Sequence, residues 1–157
     1  MKSIRFLRKL HSENKLDFVE PSDDISSDYV KKSANSLRAA KLLRDQNLFE
    51  ESVSMAYYSM YHILTALLYK VGVKCENHTG SIILLKELFH IDNSEISFAK
   101  TERVDKQYYT DFAVTEKDVS QAVIITESFR NKMMTYIENL KNQDIIGFRD
   151  VLKKNLI

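Results

Sequence analysis

The sequence predicts an all-α fold, an up-and-down antiparallel bundle of four to five helices. Three observations lead there. Only three glycines and one proline punctuate 157 residues, too few for the many tight turns of a sheet-rich chain. Apolar residues recur at three- and four-residue steps over several long segments. Capping residues stand where those segments begin.

Residues 1–25 read as a basic N-terminal arm. Lys2, Arg5, Arg8 and Lys9 precede the first acid. RFLRKL has room for one or two amphipathic turns, and Pro21 with SDDISSD stops anything longer. Residues 26–142 read as the helical bundle. Ser26, Ser27 and Asp28 supply a cap for its first main helix, which runs to about Asn47 on a stripe of Val30, Ala34, Leu37 and Leu42 or Leu43. The second helix extends from near Phe49 to near Val71. Its apolar positions (Val53, Ala56, Tyr57, Met60, Leu64, Leu67, Leu68, Val71) cover a wide face, so it is expected at the centre. Gly72 is placed to end it, and VKCENHT reads as a connecting loop.

A third helix is expected from roughly Thr79 to His90, with Ile82, Leu85, Leu88 and Phe89 on one side. Asn93 or Ser94 then caps a segment of weaker periodicity, Glu95 to Tyr109. After the loop TDFAVT, Thr115 and Asp118 approximate a capping box. The last long helix runs to about Asn142 on Val119, Val123, Phe129, Met133, Tyr136, Ile137 and Leu140. Residues 143–157 read as an amphipathic tail, with Ile145, Phe148, Val151 and Leu152 on one face, docking on the bundle or on a partner.

Hydrophobic residues make up 44% of the chain, which suits one globular domain. The single Cys75 excludes an internal disulfide and a cysteine zinc site. No apolar stretch reaches the roughly 20 residues that span a bilayer, and the N-terminus lacks a signal-peptide core. A cytoplasmic protein without membrane attachment is expected. Formal net charge is +1, so binding a nucleic acid requires a local basic patch.

Three segments carry a family resemblance. The second helix reads AYYSMYHILTALL, the following loop contains NHTG, and Arg103-Val-Asp-Lys-Gln-Tyr108 lies further on. Over about residues 28–140 the chain resembles a HEPN domain, closest to the small stand-alone prokaryotic branch. That branch has an AYYAMFHA-type stretch, a His-Lys-Gly loop and an Arg-x-x-x-Asp-Tyr element. The resemblance implies an antiparallel helical bundle that homodimerises. It also implies a toxin–antitoxin type system in which many members cleave RNA without metal. Those use an Arg followed after four to six residues by His, paired across two subunits. Others pair with a nucleotidyltransferase antitoxin that modifies a Tyr.

The chain departs from that pattern. Tyr108 stands where the His is expected, Thr110 where the acceptor Tyr is expected, and Gln107 where the closer branch has Asp. Metal-independent cleavage needs a proton acceptor for the 2′-hydroxyl and a group that stabilises the phosphorane. Arg103 suits the second role. A Tyr whose pKa is about 10 is a poor base at neutral pH.

Arg103, Tyr108 and Tyr109 form the leading candidate site, Arg to grip phosphate and Tyr to stack on a base. The bland alternative is a surface Arg beside packed aromatics. Arg103 and Tyr108 are the catalytic candidates. His78 stands at a helix start, where exposed amides favour an anion; alternatively it or Thr79 only caps that helix. Tyr57, Tyr58, Tyr61 and His62 share one helix, and Tyr58 and His62, four apart, are able to hydrogen-bond. They line a nucleotide pocket or belong to an aromatic core. Glu87-x-x-His90 is a single E-x-x-H match, whereas a carboxylate-bridged metal bundle needs two with two further Glu. No metal and no cofactor are expected. The sequence reading is a HEPN-like component of a prokaryotic two-component, toxin–antitoxin type system that binds RNA or a nucleotide phosphate and, in an enzymatic form, cleaves RNA without metal. Its alternative is a non-catalytic adaptor for a nucleotidyltransferase partner.

Overall fold

The computed structural model describes residues 2–108 and 113–157, with side chains for residues 2–103 and 113–157. Helix α3 (Phe49–Val71) is the axis. Its apolar positions go almost all the way round, and Tyr57, Ile63, Leu64, Ala66, Leu67 and Val71 have no exposed surface. Such a helix is stable only when neighbours cover every side. Around it lie α2 (Asp23–Asp45), α5 (Ser94–Tyr108) and α6 (Glu116–Glu138). Outside these lie α1 (Lys2–Ser12), α4 (His78–Glu87) and α7 (Asn142–Leu156). The chain is thus the expected all-α bundle, with seven helices among the described residues rather than four or five.

The α2–α3 contact rests on small residues. Ser26, Ser33 and Ala40 of α2 lie seven apart and face Ala66, Ser59 and Ser52 of α3 in antiparallel order. Ser26 Oγ donates to the Ala66 carbonyl at 2.8 Å, and Ser52 Oγ to the Ala40 carbonyl at 2.6 Å. Between them, Ser33 and Ser59 each donate to the other's carbonyl at 2.7 Å. Small side chains let two backbones approach closely, and each hydroxyl bonds a carbonyl across the seam. This differs from the expected stripe: Ala34 and Leu42 are exposed, and Leu37 with Ala40 packs into a satellite cluster with Val53, Ala56, Val119 and Val123. Helix α2 also starts earlier than expected, because Ser22 rather than the Ser26 cluster is its cap, accepting from the Ile25 amide.

The first residues form no free arm. Leu7 and Leu10 of α1 are buried in the main core, and Arg8 Nε donates to the Asn155 carbonyl of α7 at 2.7 Å. Leu16–Phe18 forms β1, antiparallel to β2 (Val73–Cys75), with Leu16 opposite Cys75 and Phe18 opposite Val73. Part of the segment read as a loop is therefore a strand. Three-residue strands are too short to show a period, and this partner lies far away in sequence. Helix α4 ends at Glu87 rather than His90, and α6 ends at Glu138 rather than near Asn142. The tail is helix α7, anchored by buried Leu152 and Leu156.

Gly72 does end α3, with φ 76°, a left-handed conformation that costs other residues a clash. Arg149 of α7 clamps this exit: its Nη1 donates to the carbonyls of Val19, Val71 and Gly72 at 2.9, 3.1 and 2.6 Å. The turn sends the chain through β2 to Asn77, whose side chain accepts from the Gly80 amide at 2.8 Å and caps α4. Thr115 and Asp118 form the expected reciprocal capping box on α6.

Candidate phosphate-binding site

Helix α3 carries Tyr57, Tyr58 and Tyr61 on the side that meets α4 and α5, and His62 beside Tyr29 of α2. Tyr57 is fully buried, and its hydroxyl lies 2.8 Å from His78 Nδ1. His78 is the first residue of α4 and stacks on Tyr61, ring centroids 3.8 Å apart and planes 16° apart. Asn77, not His78 or Thr79, caps the helix.

From α5, Arg103 reaches the same place. Its Nη1 donates to the Tyr58 hydroxyl at 3.2 Å. Its guanidinium carbon lies 5.3 Å from the Tyr57 ring centroid and 5.4 Å from that of Tyr58, within cation–π range. One turn earlier, Lys100 Nζ donates to Thr79 Oγ1 at 3.1 Å. The i, i+3 spacing places Lys100 and Arg103 on one face of α5. The sequence reading missed Lys100, whose spacing from Arg103 was the available signal, and gave Thr79 only as a possible cap.

Electrostatics set the protonation states. Burial lowers the His78 pKa from its usual value, and the positive charges of Arg103 and Lys100 lower it further. His78 is therefore neutral at pH 7. Burial pushes the Tyr57 hydroxyl well above the ordinary tyrosine range, and the neighbouring Tyr61 pushes it the same way. Tyr57 keeps its proton, and its hydroxyl shares a hydrogen bond with His78 Nδ1 whose direction is set by the His78 tautomer. With Tyr57 as the donor, the proton of neutral His78 sits on Nε2, a donor rather than a base. The site offers two fixed cations, an imidazole N–H, the Thr79 hydroxyl and the start of a capped helix. Such a set has the chemistry to take an oxyanion, with flat rings beside it.

Arg103, Tyr58 and His78 are thus brought together. His62 stands one turn along α3 from Tyr58, but the two do not hydrogen-bond: their ring centroids lie 6.3 Å apart, with planes 27° apart. The tyrosine hydroxyl is turned to Arg103 instead. Burial lowers the His62 pKa too, with Lys32 and His78 adding to the effect. The side chain of Tyr108, and Tyr109 altogether, lie outside the described residues. Glu87 of the E-x-x-H match takes the Ser3 hydroxyl at 3.1 Å. Among the described residues no three His, Cys, Asp or Glu side chains group to hold a metal, and no helix is long and apolar enough to cross a membrane.

Comparison with known proteins agrees with this architecture. The chain is 37% identical over 57 residues to a UPF0332 protein of Gloeobacter violaceus, 36% of this chain and 45% of that one. It is 34% identical over 82 residues to a UPF0332 protein of Pyrococcus horikoshii, 52% of this chain and 54% of that one. These matches span about half the length of each relative. Identity is 24% over 112 residues to a Methanocaldococcus jannaschii protein named "Putative toxin", 67% of this chain and 83% of that one. The HEPN domain profile matches residues 26–139, from the early part of α2 to the end of α6. The chain belongs to the HEPN domain family.

Proposed function

We propose that this chain is the RNA-directed component of a toxin–antitoxin type pair, binding single-stranded RNA through a backbone phosphate at Arg103, Lys100 and His78. The observation that carries the reading is Arg103. It lies against the aromatic face of α3, beside His78 and near a second cation, instead of projecting into solvent. Tyrosine rings beside a cation suit an unpaired strand, because every base has a face to stack. The toxin-like name of the archaeal relative supports the same direction.

In its enzymatic form the 2′-hydroxyl of the bound strand gives its proton to solvent and attacks the adjacent phosphorus, and the 5′-oxygen leaves with a proton from solvent, which closes a 2′,3′-cyclic phosphate. Arg103 neutralises the charge that develops on the phosphorane. His78, with Nδ1 engaged by Tyr57, contributes an N–H and not a base. The position equivalent to the family's His is Tyr108.

The test is RNA binding and RNA cleavage in EDTA, wild type beside Arg103→Ala. Binding lost in the variant supports the reading, and cleavage lost with it adds a nuclease. Equal binding by both proteins refutes it. A second reading, a non-catalytic adaptor for a nucleotidyltransferase antitoxin, is favoured by one feature. A groove of about 90 Å³ between α3, α5 and α6 is bordered by Phe98, 61% exposed. On that reading Phe98→Asp abolishes co-purification with the nucleotidyltransferase and leaves RNA binding unchanged.

A further inference from the structure

Behind the site just described is a second cleft that the proposed phosphate contact does not use. It has a volume of about 310 Å³ and lies between α2, the second half of α3 and β2. This is within the usual size of a small-ligand pocket, about 300–1,000 Å³. Tyr29 and Tyr69 stack within it, centroids 5.5 Å apart and planes 8° apart. The His62 ring lies 5.9 Å from Tyr29. The Lys32 ammonium sits 4.8 Å from the Tyr29 centroid and makes no ion pair among the described residues. Lys74 stands at the rim, paired with Glu76 at 3.0 Å. Tyr61 lines this cleft and also stacks on His78 in the first site.

One polar atom needs explanation. His62 Nδ1 is buried and has no hydrogen-bond partner among the described residues. Buried polar atoms are nearly always paired, and His62 lines the cleft, so a ligand there is the candidate for the missing partner. Flat rings, one cation over a ring and one ring nitrogen that needs a partner specify the ligand class. It is an aromatic heterocycle with hydrogen-bonding edges, carrying an anion. An apolar metabolite leaves His62 and Lys32 unused, and a bare phosphate leaves the rings unused.

We propose that this cleft takes one unstacked nucleobase. The base packs against the Tyr29–Tyr69 wall, its edge meets His62 Nδ1, and its phosphate meets Lys32. The base comes from the strand held at Arg103 or from a free nucleotide. The proposal rests on the RNA reading only for the first source.

The test follows the ¹⁵N imidazole signals of His62 in the full chain during four titrations. The probes are AMP, a single-stranded octaribonucleotide, an abasic oligomer of equal length, and inorganic phosphate. AMP or the octamer moves the His62 signals; the abasic oligomer and phosphate leave them in place. Movement with AMP assigns a free-nucleotide site, and movement with the octamer alone assigns a base of the bound strand. Either outcome supports the cleft. Tyr69→Leu weakens the responding ligand by about tenfold, the size expected of one base–aromatic stack, and Lys32→Gln, at an exposed position, weakens it by removing the charge opposite the phosphate. His62 signals unmoved by AMP and octamer at millimolar concentration overturn the proposal, as does unchanged affinity in both variants. Arg103→Ala separates the two claims. It weakens the octamer and not AMP where both hold. Unchanged octamer affinity removes the phosphate site alone.

Discussion

Replacing Gly72 with Ala puts the placement of His78 at risk, because this residue sets the direction from α3 to β2 and α4. Two costs add. The φ of 76° is left-handed, and an L side chain there costs about 1–2 kcal/mol. The added Cβ also meets Arg149 Nη1 and the Val19 carbonyl at impossible separations, and Pro21 Cδ at 2.9 Å. Arg149 is able to swing away, but it then gives up its three carbonyl contacts; one Nη1 shares its hydrogens among them, so together they count as about one charge-assisted bond, about 1.5–3 kcal/mol. The expected loss is about 3–5 kcal/mol. At about 2–4 °C per kcal/mol for a domain of this size, Tm falls by roughly 10 °C. Urea unfolding followed by far-UV circular dichroism measures it. Gly147→Ala is the control: a Cβ there meets nothing within 4 Å among the described residues, and the residue lies inside α7. It gains about 0.5–1 kcal/mol. A Gly72→Ala loss below about 1 kcal/mol refutes the account of this turn.

Other predictions follow from the same geometry. Ser33→Ala removes one of the two reciprocal bonds of the α2–α3 seam and the acceptor of Arg130 Nε at 2.7 Å. It destabilises by about 1–3 kcal/mol in urea unfolding, whereas Asn35→Ala, on the exposed face of α2, costs nothing and gains up to about 0.7 kcal/mol of helix propensity. Acid destabilises the fold through His62 and His78, whose pKa values are lowered on folding. The unfolded state binds more protons below the free histidine value of about 6.5. Stability is therefore complete above that pH and declines as pH falls through it; a flat profile from pH 7.5 to 5 contradicts this. Tyr57→Phe removes the donor to His78 Nδ1 and shifts the ¹⁵N pattern of His78 away from the Nε2–H tautomer; an unchanged pattern shows that the bond does not fix the proton.

The sequence made some elements legible and hid others for physical reasons. Helix α3 was readable because its apolar surface is wide and Gly72 marks its end. The start of α6 was readable because Thr115 and Asp118 are a local device. The α2–α3 seam was not, because serines seven apart look polar in an apolar-stripe reading and become an interface only when their hydroxyls find carbonyls across it. Docking of α1 was hidden by its charges, since its apolar positions Ile4, Phe6, Leu7 and Leu10 are interleaved with Lys2, Arg5, Arg8 and Lys9. At the site, the aromatic run on α3 and Arg103 were visible as residue types. The Tyr57–His78 bond was not, because it joins α3 to α4 across a turn whose path depends on Gly72 and β2. The second cleft needed Tyr29 and Tyr69 from different helices, which no local spacing connects.

The most direct test of the central claim is the ¹⁵N imidazole titration of His78 across pH, with and without a single-stranded oligoribonucleotide in EDTA. The account predicts a free-protein pKa below about 6.5 that rises when RNA is added, because a phosphate beside His78 favours its charged form, and no rise in Arg103→Ala. A His78 titration unaltered by RNA at saturating concentration contradicts the claim that phosphate binds at this cluster.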